Sequence, residues 1–331
     1  MTENPSILVI GVGSIGERHL RCFQSTGRCS LVLCEPMTER REKVSAKYGV
    51  RAYATVEEAL DVRRYNTAII AAPAPSHVPI ATQLTQHDMH LLIEKPLSVS
   101  LDGIENLRQL VSKQQTQVAI GYSMRSYPAL AEMKKAIDSG RLGKPVEIVV
   151  TAGQHFPFYR PAYREIYYTD QSQGGGAMQD CATHFLNTGE WLAGPITSLV
   201  TDAEHCVLKD VDVEDTVHLI TRHGTVMGSY SINQHQHPNE CRITVICDSG
   251  AARFELSGHR WLTASEPGGE WRLEGEFEVD RDSAYIRQAN RFLDQIDGKN
   301  GPTCSLDEGI QTLKVNLAAL HSWKTRQWVD I

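Results

Sequence analysis

Two short stretches of this sequence place reactive or ligand-binding residues directly behind apolar runs. In LVIGVGSIGERHL, Gly11, Gly13 and Gly16 follow such a run and open a helical pattern. Glycines at this spacing permit a tight turn, close approach of the backbone to a pyrophosphate, and packing of helix on strand. The N–H groups around Ser14 and Ile15 then face the anion. A dinucleotide is therefore expected on Gly11, Gly13, Ser14, Ile15 and Gly16. The next apolar run ends in Cys34-Glu35-Pro36. At that distance an acidic side chain accepts hydrogen bonds from the ribose hydroxyls of the adenosine and repels a 2'-phosphate, so NAD is expected rather than NADP. Arg40 and Arg41 follow closely and read as a solvated helix face.

The second stretch is LLIEKPLSVS, in which Glu94, Lys95 and Pro96 terminate an apolar run. Charged side chains are seldom fully buried unless paired or working, so this strand end either meets water or borders a site. Pro96 biases Lys95 towards extended backbone, and a cis bond between them is permitted. In a doubly wound sheet, ligands sit at the carboxyl ends of strands, which would turn Glu94 and Lys95 towards a cofactor. Further along, QHFPFYRPAYREIYY (154–168) is dense in Tyr and Arg. Such groups suit a polyol or carboxylated sugar, which makes Arg160, Tyr163 and Arg164 specificity candidates, with Arg125 of GYSMRSY beside them; the alternative is packing between subunits.

The elements that must position these residues fall into two textures. From residue 6 to about 122, short Val/Ile/Leu-rich runs alternate with helical patterns at 14–26, 38–48, 77–87 and 101–114. Runs that are apolar on both faces and separated by helices predict a parallel sheet covered on both sides. After residue 123 the pattern predicts a helix at 128–139, a Gly-rich loop and helix at 174–193, several alternating strands joined by short turns, and helices at 282–297 and 305–325. The expected fold is thus an N-terminal Rossmann-type doubly wound domain (1–122) followed by an α+β domain (123–331) with an open, mainly antiparallel sheet. An open sheet face suits an isologous contact, so a homodimer or homotetramer is expected.

Composition narrows the partners. A formal net charge of -7 argues against general attraction to nucleic acid or anionic lipid. No apolar run is long enough for a membrane span. Eight cysteines are scattered without a Cys-x-x-Cys pair, as suits reduced thiols and a cytoplasmic location. His235 and His237 alternate on a predicted strand, but no nearby Cys pair or carboxylate set completes a zinc shell, so no metal is expected.

Taken in order, GVGSIG, AAPAPSH (71–77), EKP (94–96) and GGGAMQDCATHFLNTGEWLAG (174–194) resemble the Gfo/Idh/MocA oxidoreductase family over nearly the whole chain. The resemblance implies NAD(P) on the first domain and oxidation of a ring hydroxyl of a sugar, sugar derivative or cyclitol. It implies that Lys95 stands near the substrate hydroxyl, that Asp180 and His184 form the acidic and imidazole pair, and that Pro73 and His77 line the nicotinamide side. Two positions depart from the pattern: Ala74-Pro75 replaces an Asn-like residue, and Ala182 stands where glycine is common.

The chemistry accords with that set. Oxidising a secondary alcohol requires a base for the hydroxyl proton, and Asp180 and His184, four apart on a predicted helix, would share a face. His184 can take the proton, or Lys95 can, the other polarising the oxygen; both assignments stay open here. Two other function classes are compatible with the motifs. A non-catalytic NAD-binding regulator would be expected to lose Lys95, Asp180 and His184, and an NAD-dependent glycosidase would cleave a glycoside without releasing NADH.

Overall fold

The computed structural model describes residues 5–331. The first apolar run forms β1 (Ser6–Ile10), buried along its whole length. Around it the chain winds α1 (Ser14–Ser25), β2 (Ser30–Cys34), α2 (Thr38–Tyr48), β3 (Arg51–Tyr53), α3 (Val56–Val62), β4 (Thr67–Ile70), α4 (His77–Thr85), β5 (His90–Ile93), α5 (Ile104–Gln114) and β6 (Val118–Ile120). The six strands pair in parallel in the order β3-β2-β1-β4-β5-β6. Because the order reverses beside β1, the carboxyl ends of β1 and β4 flank the crevice in which such sheets bind ligands. The short β3 and α3 were not anticipated; Arg51–Tyr53 lacks the apolar run that marks the other strands.

The remaining elements are α6 (Pro128–Asp138), β7 (Pro145–His155), the single turn α7 (Phe156–Tyr159), α8 (Thr183–Ala193), β8 (Ser198–Glu204), β9 (Thr216–His223), β10 (Val226–Asn233), β11 (His235–Cys247), β12 (Gly250–Glu255), β13 (Arg260–Ala264), β14 (Arg272–Glu276), α9 (Ser283–Ile296), α10 (Leu306–Thr325) and β15 (Val329–Asp330). Nine strands pair in the order β14-β13-β12-β11-β7-β10-β9-β8-β15. All contacts are antiparallel except β7 with β10, so the sheet is mainly antiparallel as its alternating pattern predicts. In β9, Val217, Leu219 and Thr221 are buried while His218, Ile220 and Arg222 are exposed, the period of two expected of a sheet with one covered face. α10 packs on it, with Ser322 Oγ accepting from Thr201 N–H (2.9 Å) and Trp323 Nε1 donating to Ala203 O (2.6 Å), and α8 is tied to α10 by Asn187 Nδ2 donating to Thr312 Oγ1 (2.9 Å) and Asn316 Nδ2 to Thr183 Oγ1 (2.8 Å).

The chain forms two units that differ from the 122/123 division read from the sequence. Residues up to Ser126 associate with Asp280–Ile310, and Tyr127–Val279 with Gln311–Ile331. The reason lies in α9. Its apolar stripe (Ala289, Phe292, Leu293) completes the core of Ile7, Val9, Leu20, Phe23, Leu33 and Ile69. Phe23 and Phe292 meet edge to face at 6.3 Å, worth about 0.5–1.5 kcal/mol beyond the area they bury. At the start of the helix, Asp282 takes both guanidinium contacts of Arg21, at 2.5 and 2.8 Å.

Candidate active site

In the first unit the glycine loop is dictated by contacts that exclude any side chain. Gly11 has φ +79°, and a Cβ there would lie 2.8 Å from the Ala71 carbonyl oxygen; one on Gly16 would lie 1.9 Å from the Gly11 oxygen. A Cβ on Gly13 would meet nothing within 4 Å. The loop is therefore closed towards the sheet and open at the start of α1, where no side chain caps the helix. This fits a phosphate-bearing cofactor held by Gly13, Ser14 and Ile15.

Glu35 closes the same loop from β2. It is 3% exposed; its Oε2 accepts from Val12 N–H (3.0 Å) and its Oε1 from Met37 N–H (3.1 Å). Each carboxylate oxygen retains a second lone pair for a ribose hydroxyl. Arg40 lies 3.6 Å from Glu35 Oε2, and Arg41 donates to the carbonyls of Glu35 (2.9 Å) and Pro36 (3.1 Å), so neither is simply a solvated face.

At the ends of β4 and β5 the structure turns two expected cofactor contacts inward. His77 is buried between two carbonyl oxygens, with Nδ1 2.9 Å from Pro96 O and Nε2 2.8 Å from Ala72 O. Burial pushes its imidazole below the ordinary value, against the pull of those carbonyls and of the Glu94 charge. Glu94 is 4% exposed; its Oε1 meets His19 Nε2 at 2.6 Å and its Oε2 accepts from Lys95 N–H at 3.0 Å. Burial alone would raise the Glu94 carboxyl, but the His19 hydrogen bond and charge, the Lys95 charge and the Lys95 N–H outweigh it and hold the carboxyl below the ordinary value. Pro73, beside β4, precedes the single turn Ala74–Ser76 that leads into α4. Lys95 stays partly exposed, and its bond to Pro96 is cis. Arg125 is buried instead of presented to a ligand: Nη1 pairs with Glu308 (2.5 Å) and donates to Thr303 O (3.1 Å).

The second unit holds the other predicted pair. Gly174 and Gly175 are loop, and the helical stretch opens at Gly176. A Cβ on Gly175 would lie 2.3 Å from Tyr168 O, and one on Gly176 (φ +82°) 2.4 Å from Glu214 Oε1. Met178–Ala182 then forms a π turn before α8 begins at Thr183, so the Gly-rich loop and helix expected over 174–193 are present with a wider turn at Asp180. Such turns recur at functional sites. Between Gly174 and Gly189 only Asp180, Cys181 and His184 are not buried, which makes a polar window in an otherwise covered segment.

Several residues outside the expected set build this window. Tyr167 donates from its hydroxyl to Asp180 Oδ1 at 2.7 Å. Glu214 is 1% exposed; it accepts from Met178 N–H (2.9 Å) and from Gln171 Nε2 (2.8 Å), fixing the start of the π turn. Burial pushes its carboxyl up, whereas three N–H donors and Thr216 hold the neighbouring Asp215 down despite its own burial. Two specificity candidates make contacts within the chain. Tyr163 is 1% exposed and donates to Lys209 O (2.8 Å); Arg164 lies over its ring at 4.8 Å and pairs with Asp210 (3.0 Å). Arg160 is exposed. Among the described residues no cluster of His, Cys, Asp and Glu is arranged to hold a metal ion, and no helix is long and apolar enough to cross a membrane.

Residues 6–122 match a family described as an oxidoreductase family with an NAD-binding Rossmann fold, and residues 130–253 match the GFO/IDH/MocA C-terminal domain. The chain belongs to the Gfo/Idh/MocA oxidoreductase family. Its glycine loop and Glu35 thus sit in an NAD-binding Rossmann domain of that family. Among Gfo/Idh/MocA-like relatives, the scyllo-inositol 2-dehydrogenase (NAD(+)) of Bacillus subtilis (strain 168) is 22% identical over 342 aligned residues, covering 98% of this chain and 95% of the relative. The inositol 2-dehydrogenase of Pseudomonas savastanoi pv. phaseolicola is 27% identical over 315, covering 89% and 86%. Two solved structures share the fold. Levoglucosan dehydrogenase, in complex with NADH and levoglucosan, has a TM-score of 0.89 at 19% identity over 99% of this chain and 100% of that one. The WlbA dehydrogenase from Bordetella pertussis, in complex with NADH and UDP-GlcNAcA, has 0.86 at 20% over 100% and 99%.

Proposed function

We propose that this oxidoreductase is an NAD-dependent dehydrogenase acting on a ring hydroxyl of a sugar, sugar derivative or cyclitol. The observation that carries the reading is the polar window of Asp180 and His184, open in a segment that is otherwise buried. The names of the relatives, inositol and sugar dehydrogenases, agree with it. Gly13, Ser14, Ile15 and Glu35 hold the cofactor, which when bound supplies the two-electron acceptor for the carbinol C–H bond. Lys95 and His184 divide the work at the hydroxyl between hydrogen-bond donation and proton removal. Asp180 orients the imidazole, and Arg160 contributes to substrate selection. The buried Glu35 carboxylate supports NAD over NADP, since a 2'-phosphate would bring like charges together. A homodimer or homotetramer is supported by Val146, Ile220 and Met227, all exposed on strands of the large sheet.

The test is thermal unfolding with NAD and with NADP, then NADH absorbance with a panel of inositols, sugars, sugar acids and nucleotide sugars. A larger shift with NAD and NADH formation on one substrate class are the expected results. Binding without turnover on any member would overturn the dehydrogenase reading and favour a regulator or a glycosidase.

A further inference from the structure

Two arginines follow Glu35, and they are held in different ways. Arg41 braces the turn: its Nη1 donates to the carbonyls of Glu35 (2.9 Å) and Pro36 (3.1 Å), and its Nη2 to Thr38 Oγ1 (3.2 Å). Arg40, in the first turn of α2, instead reaches back to the carboxylate itself, with Nη1 3.6 Å from Glu35 Oε2. The two ends of this pair are unequal. The Glu35 side chain is 4% exposed and pinned by the Val12 and Met37 N–H groups, whereas the Arg40 side chain is 43% exposed. Their separation exceeds the length of a charge-assisted hydrogen bond, about 2.7–2.9 Å. The guanidinium is therefore kept near Glu35 by charge alone, and a half-exposed pair of that kind is weak. Glu35 is fixed; Arg40 can turn away from it.

A 2'-phosphate on a ribose held by Glu35 brings a second anion beside that carboxylate, which disfavours NADP. The penalty is tempered by any cation within reach of both groups, and a guanidinium matches a phosphate with paired N–H donors. The start of α2 is no phosphate site by itself, since its first turn also carries Glu39; the attraction has to come from Arg40. We propose that Arg40 is a cofactor-selecting residue: with NAD it stays on Glu35, and with NADP it turns onto the 2'-phosphate. The preference for NAD then rests on the single carboxylate of Glu35, and it reverses when that carboxylate is removed, with no basic residue added. This rests on the cofactor half of the proposed function, the ribose on Glu35, and not on the substrate.

The experiment is isothermal titration calorimetry of the full chain with NAD and with NADP, in the absence of substrate. Wild type should bind NAD more tightly. Arg40→Gln should weaken NADP about tenfold, the worth of a hydrogen bond to a charged group, and NAD less than about twofold. Glu35→Ser should reverse the order of the two dinucleotides, and Arg40→Gln added to it should abolish the gain for NADP. The loss on NADP should be larger in the Glu35→Ser background than in the wild type, because the guanidinium no longer has to leave a carboxylate. Equal losses for both dinucleotides in Arg40→Gln would place Arg40 on a part that they share, such as the adenine, and overturn the proposal; so would unchanged affinities for both. That comparison decides alone if removing the acceptor of the Val12 and Met37 N–H groups unfolds Glu35→Ser. Wild type that binds neither dinucleotide would overturn the proposal together with the cofactor reading, whereas binding without NADH formation on any panel substrate would overturn the dehydrogenase reading and leave this one standing.

Discussion

The Lys95 turn and the Asp180–His184 turn are positioned by opposite means. Around Lys95 the fold uses buried polar pairs: His19 with Glu94, and His77 with the Ala72 and Pro96 carbonyls. Around Asp180 it uses absent side chains, with Gly175 and Gly176 letting the Tyr168 carbonyl and the Glu214 carboxylate approach closer than any Cβ allows. The first arrangement is chemically specified and tolerates changes of volume poorly only where charge is lost. The second is sterically specified and should fail on addition of one methyl group.

The largest expected effect tests the first means. His19→Leu leaves Glu94 as a buried carboxylate without its partner, and losing one member of such a pair costs about 3–5 kcal/mol. Urea unfolding should show a loss of that size. His19→Leu/Glu94→Met should recover most of the stability, because an apolar pair of similar volume is often neutral or better, yet it should not recover turnover. Recovery of both would show that the pair serves packing alone. Gly176→Ala comes next. At φ +82° with a Cβ 2.4 Å from Glu214 Oε1, it should cost about 1–3 kcal/mol in strain and reduce turnover more than NAD affinity. Unchanged turnover would separate the GGG loop from the Asp180 window.

Acid titration separates the two regions further, because their buried carboxyls shift in opposite directions. Glu94 is held below its ordinary 4.5, so its contribution to stability is present above that value and lost as pH falls through the depressed one. Glu214 is raised above 4.5, so its contribution is present below that value and lost as pH rises through the raised one. Glu94→Gln should therefore flatten the acid limb of the stability curve, whereas Glu214→Gln should gain on the wild type as pH climbs from about 4.5 towards neutral. Parallel curves for the two variants would contradict the contrast.

Legibility in the sequence follows the same division. The glycine loop and Glu35 were readable because strand, turn and helix are contiguous, and each glycine meets a nearby carbonyl or open space. The chemistry of Glu94 was not, since its partner His19 lies 75 positions away on the apolar stripe of α1. A histidine beside Leu20 and four residues before Phe23 was the available signal, but nothing local says what it faces. The same holds for α9, whose stripe is plain in the sequence while its return to the first sheet depends on tertiary packing. The Tyr/Arg segment misled in a different way. Tyr163 has the chemistry of a ligand contact, but Phe156, Tyr163 and Tyr168 form a core with Leu208, Val211 and Val213, while Arg164 beside it stays exposed. The π turn left no trace in the spacing of Asp180 and His184, because either helix type brings residues four apart to neighbouring positions.

Tyr167 offers the smallest and sharpest test of the window. It is 47% exposed, so its hydroxyl makes the 2.7 Å bond to Asp180 against competition from water, and removing it should cost under about 1 kcal/mol of stability. Its anchor is firm, because Tyr168 beside it is fully buried and both carbonyls press on Gly175. A side chain that is so weakly stabilising, yet delivered so firmly to a carboxylate, is better explained by orientation of Asp180 than by support of the fold. Tyr167→Phe should accordingly lower kcat several-fold on whichever panel substrate yields NADH, with unfolding and NAD affinity nearly unchanged. Asp180→Asn should make the Tyr167→Phe change nearly silent, since the two act through one bond. Additive losses in the double variant would mean that Tyr167 touches the substrate itself, and would move it from an orienting role to a binding one.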